Sequence, residues 1–157
     1  MSNLAPLTES EVRQFVEDWY RKLDVHAPMS ELLAMLADEE LEMRFPEGTL
    51  YGHAEFGGWY QGSAENSKNY PGVVNIFFDE VHTVKEVAVD ISGDQANVKV
   101  VVKWEASVWN PPAAKSVRII LDAAQTWVMK RSPETSKPVI VTYIVDDLSY
   151  YEGSAKL

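Results

Sequence analysis

The sequence predicts an α+β fold: about three N-terminal helices capping a curved antiparallel sheet that closes into a cone. Three observations carry this expectation. The first forty residues show helical periodicity, with apolar residues at Val12, Phe15, Val16, Trp19 and Leu23. The second half shows long runs of period two, the cleanest from Gln95 to Trp109. Helical and strand patterns are thus segregated along the chain instead of alternating, which is the mark of α+β rather than α/β architecture.

The first helix opens at Thr8-Glu9-Ser10-Glu11, a capping box in which Thr8 and Glu11 each satisfy the other's backbone N–H. It is expected to end near Lys22 or Leu23, ahead of the connection Asp24-Val25-His26-Ala27-Pro28. Pro28 suits the first turn of a second helix, from Met29 to about Ala37. Leu41 to Phe45 reads as a short strand, Phe45-Pro46-Glu47-Gly48 as a turn, and the chain from about Tyr51 as a third helix carrying His53, Phe56, Trp59 and Tyr60. The stretch 63–72 is loop-like. Val73 to Phe78 and Val81 to Ile91 read as strands, and Gly93-Asp94 as a hairpin turn. In the strand from Gln95 the buried face is expected to be Ala96, Val98, Val100, Val102 and Trp104. Asn110-Pro111-Pro112 turns the chain into a strand from Lys115 to Lys130, whose inward face carries Leu121, Ala123, Gln125, Trp127 and Met129. Val139 to Tyr150 is the last strand. Strands this long twist and curl, so helices across the open side would enclose a cone.

The 157 residues suit one domain spanning 1–157, with frayed ends at about 1–7 and 152–157. There is no cysteine, which excludes thiolate chemistry and disulfides. The net charge of −10 argues against a nucleic-acid partner. No apolar run of about 18 residues occurs, so no membrane-spanning helix is expected. The N-terminal residues lack the basic and apolar regions of a secretory leader, and a cytoplasmic protein is the expectation. Three scattered histidines without ligand spacing suggest no metal site, and no cofactor is expected.

Leu33-Ala34-Met35-Leu36-Ala37-Asp38, together with Phe45-Pro46-Glu47-Gly48 and the following Gly52, resembles the NTF2-like superfamily of cone folds, which includes ketosteroid isomerase, scytalone dehydratase and the SnoaL-like cyclases. The order of elements is similar over nearly the whole chain. The resemblance implies a deep pocket within the cone and frequent dimerisation through the sheet. It is nearly silent on function, because the superfamily holds enzymes, binding proteins and transport factors. The isomerase's general base would fall on Phe45, which cannot take a proton. Its late-strand acid would fall near Gln125, whose amide can still donate to a carbonyl or oxyanion. Its helix-borne tyrosine matches Tyr20 under one gap placement and Phe15 under another.

The candidate catalytic residues are therefore His53, Tyr20 and Asp146, with Asp147 as the alternative inward acid. A pair of His53 with Asp146 or Asp122 would resemble the dyads of scytalone dehydratase-like and SnoaL-like members. Candidate ligand-binding residues are Gln125, Phe45, Phe56, Trp59, Tyr60, Trp104 and Trp127. His26 and His82 are expected to be structural, the latter on a strand face read as wet. The leading functional expectation is a pocket for a small apolar or cyclic organic molecule, with proton-transfer chemistry of SnoaL-like or dehydratase type. The alternatives are a non-catalytic binding protein and a dimeric interaction module with a filled core. A homodimer is expected through the convex sheet, on Val101, Ile120, Val128 and 139–144.

Overall fold

A computed structural model describes residues 4–62, 71–110 and 112–157. The loop reading at 63–70, the Pro111 turn position and the first three residues of the expected frayed end lie outside the described residues.

Helix α1 (Glu9–Asp24) starts on the expected capping box: the Glu11 N–H donates to Thr8 Oγ1 and the Thr8 N–H to Glu11 Oε1. Its apolar stripe, extended by Tyr20, is buried against the sheet. Helix α2 is short (Met29–Leu33), not the expected 29–37. Its continuation is lost to a tertiary pairing: Leu36 bridges Ile140, the Ala37 N–H donates to Ile140 O, and the Ile140 N–H donates to Met35 O. Those backbone groups cannot also serve a helix.

The sheet has six strands: β1 (Glu42–Phe45), β2 (Gly48–Tyr51), β3 (Phe77–Ser92), β4 (Gln95–Val108), β5 (Val117–Arg131) and β6 (Pro138–Tyr150). Their order is β2-β1-β6-β5-β4-β3. Two features correct the antiparallel meander expected from the sequence. Residues 46 and 47 form the turn of a hairpin, pairing Phe45 with Gly48, so Gly48 to Tyr51 is a strand before the helix begins. In addition, β1 runs parallel to β6, which makes the sheet mixed. Helix α3 (Gly52–Gln61) follows, and a single helical turn, α4 (Val73–Ile76), replaces the first four residues of the strand expected at Val73 to Phe78, while Phe77 and Phe78 begin β3.

The inward faces of β4 and β5 are as the alternation predicts, with Val98, Val100 and Val102 facing Leu121, Ala123, Gln125 and Trp127. The base of the cone is solid with aromatic rings. Trp127 lies 6.5 Å edge-on from Trp19 and 5.2 Å, stacked, from Tyr143. Phe15 and Phe56 close the cluster. The C-terminal residues, expected to fray, are tied to β5. The Ile120 N–H donates to Ser154 Oγ and the Ala155 N–H to Arg118 O. At the other end Leu7 is buried, and Arg131 holds the carbonyls of Ala5 and Pro6.

Candidate functional site

The mouth of the cone, unlike its base, is hollow. A cavity of about 150 Å³ lies among Phe45, Trp59, Phe77, Trp104 and Tyr143, with Val145 and Leu148 of β6 on its wall. The polar residues lining it are Glu47, Glu80, His82 and Gln125. A cavity of this size in another protein's apolar core takes up benzene.

Its chemistry is concentrated where the end of α1 meets the start of β3. Asp24 and His26 come from the former, Glu80 and His82 from the latter. The four pair crosswise. The His82 ring shares its Nδ1 proton with Asp24 Oδ1 at 2.5 Å, and the His82 backbone N–H donates to Asp24 Oδ2 at 3.0 Å. The carboxylate therefore holds both the ring and the main chain of the histidine. With the proton on Nδ1, the lone pair of the neutral imidazole is on Nε2, which makes no hydrogen bond to any described residue. The second pair joins His26 Nε2 to Glu80 Oε2, while Trp104 Nε1 donates to Glu80 Oε1 at 3.0 Å. Among the described residues no three acidic or histidine side chains converge to hold a metal ion.

The local backbone is unusual at both ends of this arrangement. His26 (φ 49°) and Asp79 (φ 50°) occupy the left-handed region, which non-glycine residues enter seldom and at a cost. A bulge between Phe78 and Val81 interrupts the β3–β4 pairing and re-aims the side chains that follow.

The wall behind the pairs is rigid. The Tyr20 ring stacks on His82 at 4.8 Å, and its hydroxyl donates to Gln125 Oε1 at 2.6 Å. Trp127 Nε1 donates to the same oxygen at 3.0 Å. With the oxygen of Gln125 taken twice, its NH2 group is what it can offer to the cavity. Burial pushes the Tyr20 phenol well above its ordinary value, and the Tyr143 phenol up to about 12 against the pull of neighbouring Tyr20, Trp19 and Gln125. Both are neutral hydroxyls at physiological pH. Trp19 Nε1 is the buried side-chain polar atom left without a hydrogen-bond partner among the described residues.

The residues singled out from the sequence are divided by this geometry. Phe45, Trp59, Trp104 and Gln125 line the cavity. Trp127, Phe56 and Tyr20 stand behind its wall, and the Tyr60 hydroxyl donates to Ala27 O at 2.8 Å, away from the cavity. His53 is not at the cavity. Its Nε2 donates to Leu36 O at 2.9 Å, and its backbone N–H donates to Asp38 Oδ1, so it clips α3 to the end of the α2 segment. Asp146 and Asp147 both point outward, where Asp146 accepts from Thr126 Oγ1 and Asp147 from Ser149 Oγ. The expectation that one of two adjacent acids faces inward fails because of a bulge: Ala124 pairs with Asp147 but Gln125 with Val145. The extra residue lets Val145 and Leu148 face in with two acids outside between them.

Asp24, His26, Glu80 and His82 were missed as a group. Their signal is in the sequence as a repeated tripeptide of acid, valine and histidine, Asp24-Val25-His26 and Glu80-Val81-His82. In the β3 copy, alternation puts Glu80 and His82 on one side and Val81 on the other, whereas Asp24-Val25-His26 is the end of α1 and the turn after it; Val25 and Val81 are both exposed.

No family model and no curated protein matches the chain. Solved structures do. A protein of Novosphingobium aromaticivorans provisionally described as a scytalone dehydratase is similar at TM-score 0.69 and 15% identity, over 94% of this chain and 87% of that one. The hexachlorocyclohexane dehydrochlorinase LinA-type3 of Novosphingobium barchaimii gives 0.67 and 13%, over 94% and 92%. An NTF2-like superfamily protein of Salmonella enterica gives 0.61 and 16%, over 94% and 91%. At these identities the likeness shows the fold alone: the chain has the cone fold of NTF2-like, cystatin-like proteins.

Proposed function

We propose that the protein is an enzyme that removes a proton from carbon in a small, neutral, ring-bearing molecule held in the cavity. His82 is the base, through Nε2. Asp24 fixes the tautomer and stabilises the imidazolium that forms. The Gln125 NH2 group donates to a carbonyl beside the reacting carbon and steadies the charge that develops there. Tyr20 positions both residues. The observation that carries the reading is the His82–Asp24 pair, with its second ring nitrogen unspent on a cavity wall.

The lining also selects the substrate. Glu47 and Glu80 stand on it, and no lysine or arginine does among the described residues, so anionic ligands are disfavoured. The aromatic wall suits a flat or cyclic molecule. The names dehydratase and dehydrochlorinase borne by two similar structures describe eliminations, which also require a proton to leave carbon.

The test is exchange of the α-protons of cyclohexanone in D2O, followed by proton NMR. The wild-type protein should accelerate it and His82→Gln should not. Binding of the ketone without exchange would favour the alternative of a non-catalytic carrier using the same cavity. The outer sheet face leaves Val101, Ile120 and Val128 half-exposed in the single chain, which supports a homodimer there. Sedimentation at micromolar concentration would show a dimer mass if that face is an interface.

A further inference from the structure

Three large exposed apolar side chains gather at one end of the sheet, outside the cavity. Phe78 lies at the start of β3, Trp109 follows β4 and Val117 begins β5; they are 42%, 51% and 48% exposed. The register brings their segments together, pairing Phe78 with Ser107 and Val117 with Val108. Arg118 ties the flanks by donating to Asp79 O and to Ser107 Oγ. Between β4 and β5 every described residue from Trp109 to Val117 is exposed. The composition of this loop departs from that of the chain. The net charge is −10, yet the sixteen residues from Ala106 to Leu121 hold no acid and two cations, Lys115 and Arg118. The β3–β4 and β5–β6 connections at the opposite end of the sheet each carry an acid, Asp94 and Glu134. The loop also satisfies polar groups internally. The Trp109 indole N–H donates to Ala113 O at 2.7 Å, and the Ala113 N–H to Asn110 O at 3.0 Å. Pro111 and Pro112 have no N–H to satisfy. Groups bonded in this way leave water without orphaning a donor.

We propose that the β4–β5 loop seats the protein on a lipid surface, with Trp109 and Val117 entering the headgroup boundary and the Lys115 ammonium lying at the phosphates. A loop exposed along its described length suits a surface that yields to it, whereas a folded protein partner would have to supply a matching hollow. The charge of the whole chain does not forbid the contact, because exposed charges beyond about 8 Å are largely screened at physiological ionic strength. No helix among the described residues is long and apolar enough to cross a membrane, so the contact is peripheral. The same end of the strands lines the cavity, through Phe77, Trp104, Leu121 and Leu148. A neutral ring compound dissolved in the lipid would therefore meet the cavity mouth. That delivery step rests on the reading of the cavity given above; the lipid contact does not.

The test is flotation of the full chain with vesicles of mixed phosphatidylcholine and phosphatidylglycerol. Wild-type protein should float with them. Trp109→Ser combined with Val117→Ser should lower the partition coefficient by about tenfold or more. Lys115→Glu should lower it less, and raised salt should remove that smaller difference. Tyr51→Ser removes a ring that is 58% exposed elsewhere on the surface and should leave the partition unchanged. His82→Gln should float as wild type does, which keeps this test separate from that of proton abstraction. Unchanged urea midpoints show that the loop variants are folded. Wild-type protein that stays off the vesicles overturns the proposal, even if the loop captures a protein instead. A loss with Tyr51→Ser equal to that of the loop variants overturns it too.

Discussion

Two junctions in this molecule each carry a histidine beside a carboxylate, and they behave differently. At the start of α3, His53 gives Nε2 to a backbone carbonyl, and Asp38, whose side chain is largely exposed, lies 3.9 Å from its ring Nδ1 while accepting from its backbone N–H. At the start of β3, His82 lines the cavity and gives Nδ1 to Asp24, and its Nε2 makes no hydrogen bond to a described residue. His53 has the more aromatic neighbours in sequence, yet its ring is spent on holding the fold together. Whether a histidine is available for chemistry is decided by the nitrogen left over once its local bonds are made.

The largest effect that would test this contrast is on α-proton exchange. His82→Gln or Asp24→Asn should lower it by about 10²–10⁴-fold, while His53→Gln should leave it within about twofold. Equal losses at both histidines would abolish the distinction. Next comes the base that supports both junctions. Trp127→Ala should cost about 3–5 kcal/mol in urea unfolding, because it empties the centre of the ring cluster. A third test uses high pH. The Tyr143 and Tyr60 phenols are pushed up to about 12 in the folded chain from an ordinary value of 10.0, mainly by burial. Their contribution to stability is full below pH 10 and is lost as pH rises from there through about 12, since the unfolded chain ionises first. The urea midpoint should fall over that window, and Tyr143→Phe should flatten the fall. The smallest effect is remote from both junctions. Arg131 and the Thr8 cap hold the Glu11 carboxyl below its ordinary 4.5. Glu11→Gln should cost about 1 kcal/mol or less. That difference from wild type should be present above pH 4.5 and close as pH falls through the lowered value.

The parts of this fold legible in the sequence are those governed by local periodicity. The α1 stripe, its capping box and the inward faces of β4 and β5 follow from spacing alone, because one buried side imposes one period. Features set by partners distant in the chain were not legible. The α2 helix stops at Leu33 because β6 claims the backbone beyond it. The bulge at Gln125 sends Asp146 and Asp147 outward together, which adjacency alone argues against. The site follows the same division. Gln125 stood out as an amide in an apolar row, whereas His82 lies on a strand whose alternation is interrupted by a bulge just before it. Its partner Asp24 is 58 residues away. Only the repeated acid–valine–histidine tripeptide marked the two segments as related.

That crosswise tie closes a long loop, which holds α2, the β1–β2 hairpin, α3 and α4, and with them Phe45, Pro46, Glu47, Trp59, Val73 and Phe77 at the cavity mouth. The groups proposed to move protons, Asp24 and His82, sit at the stem of the loop, and many of the side chains that line the cavity lie in its span. Lengthening such a span costs little, about 0.6 kcal/mol for each doubling. The lining of the mouth can therefore change, by insertion as well as by substitution, while the stem keeps its geometry.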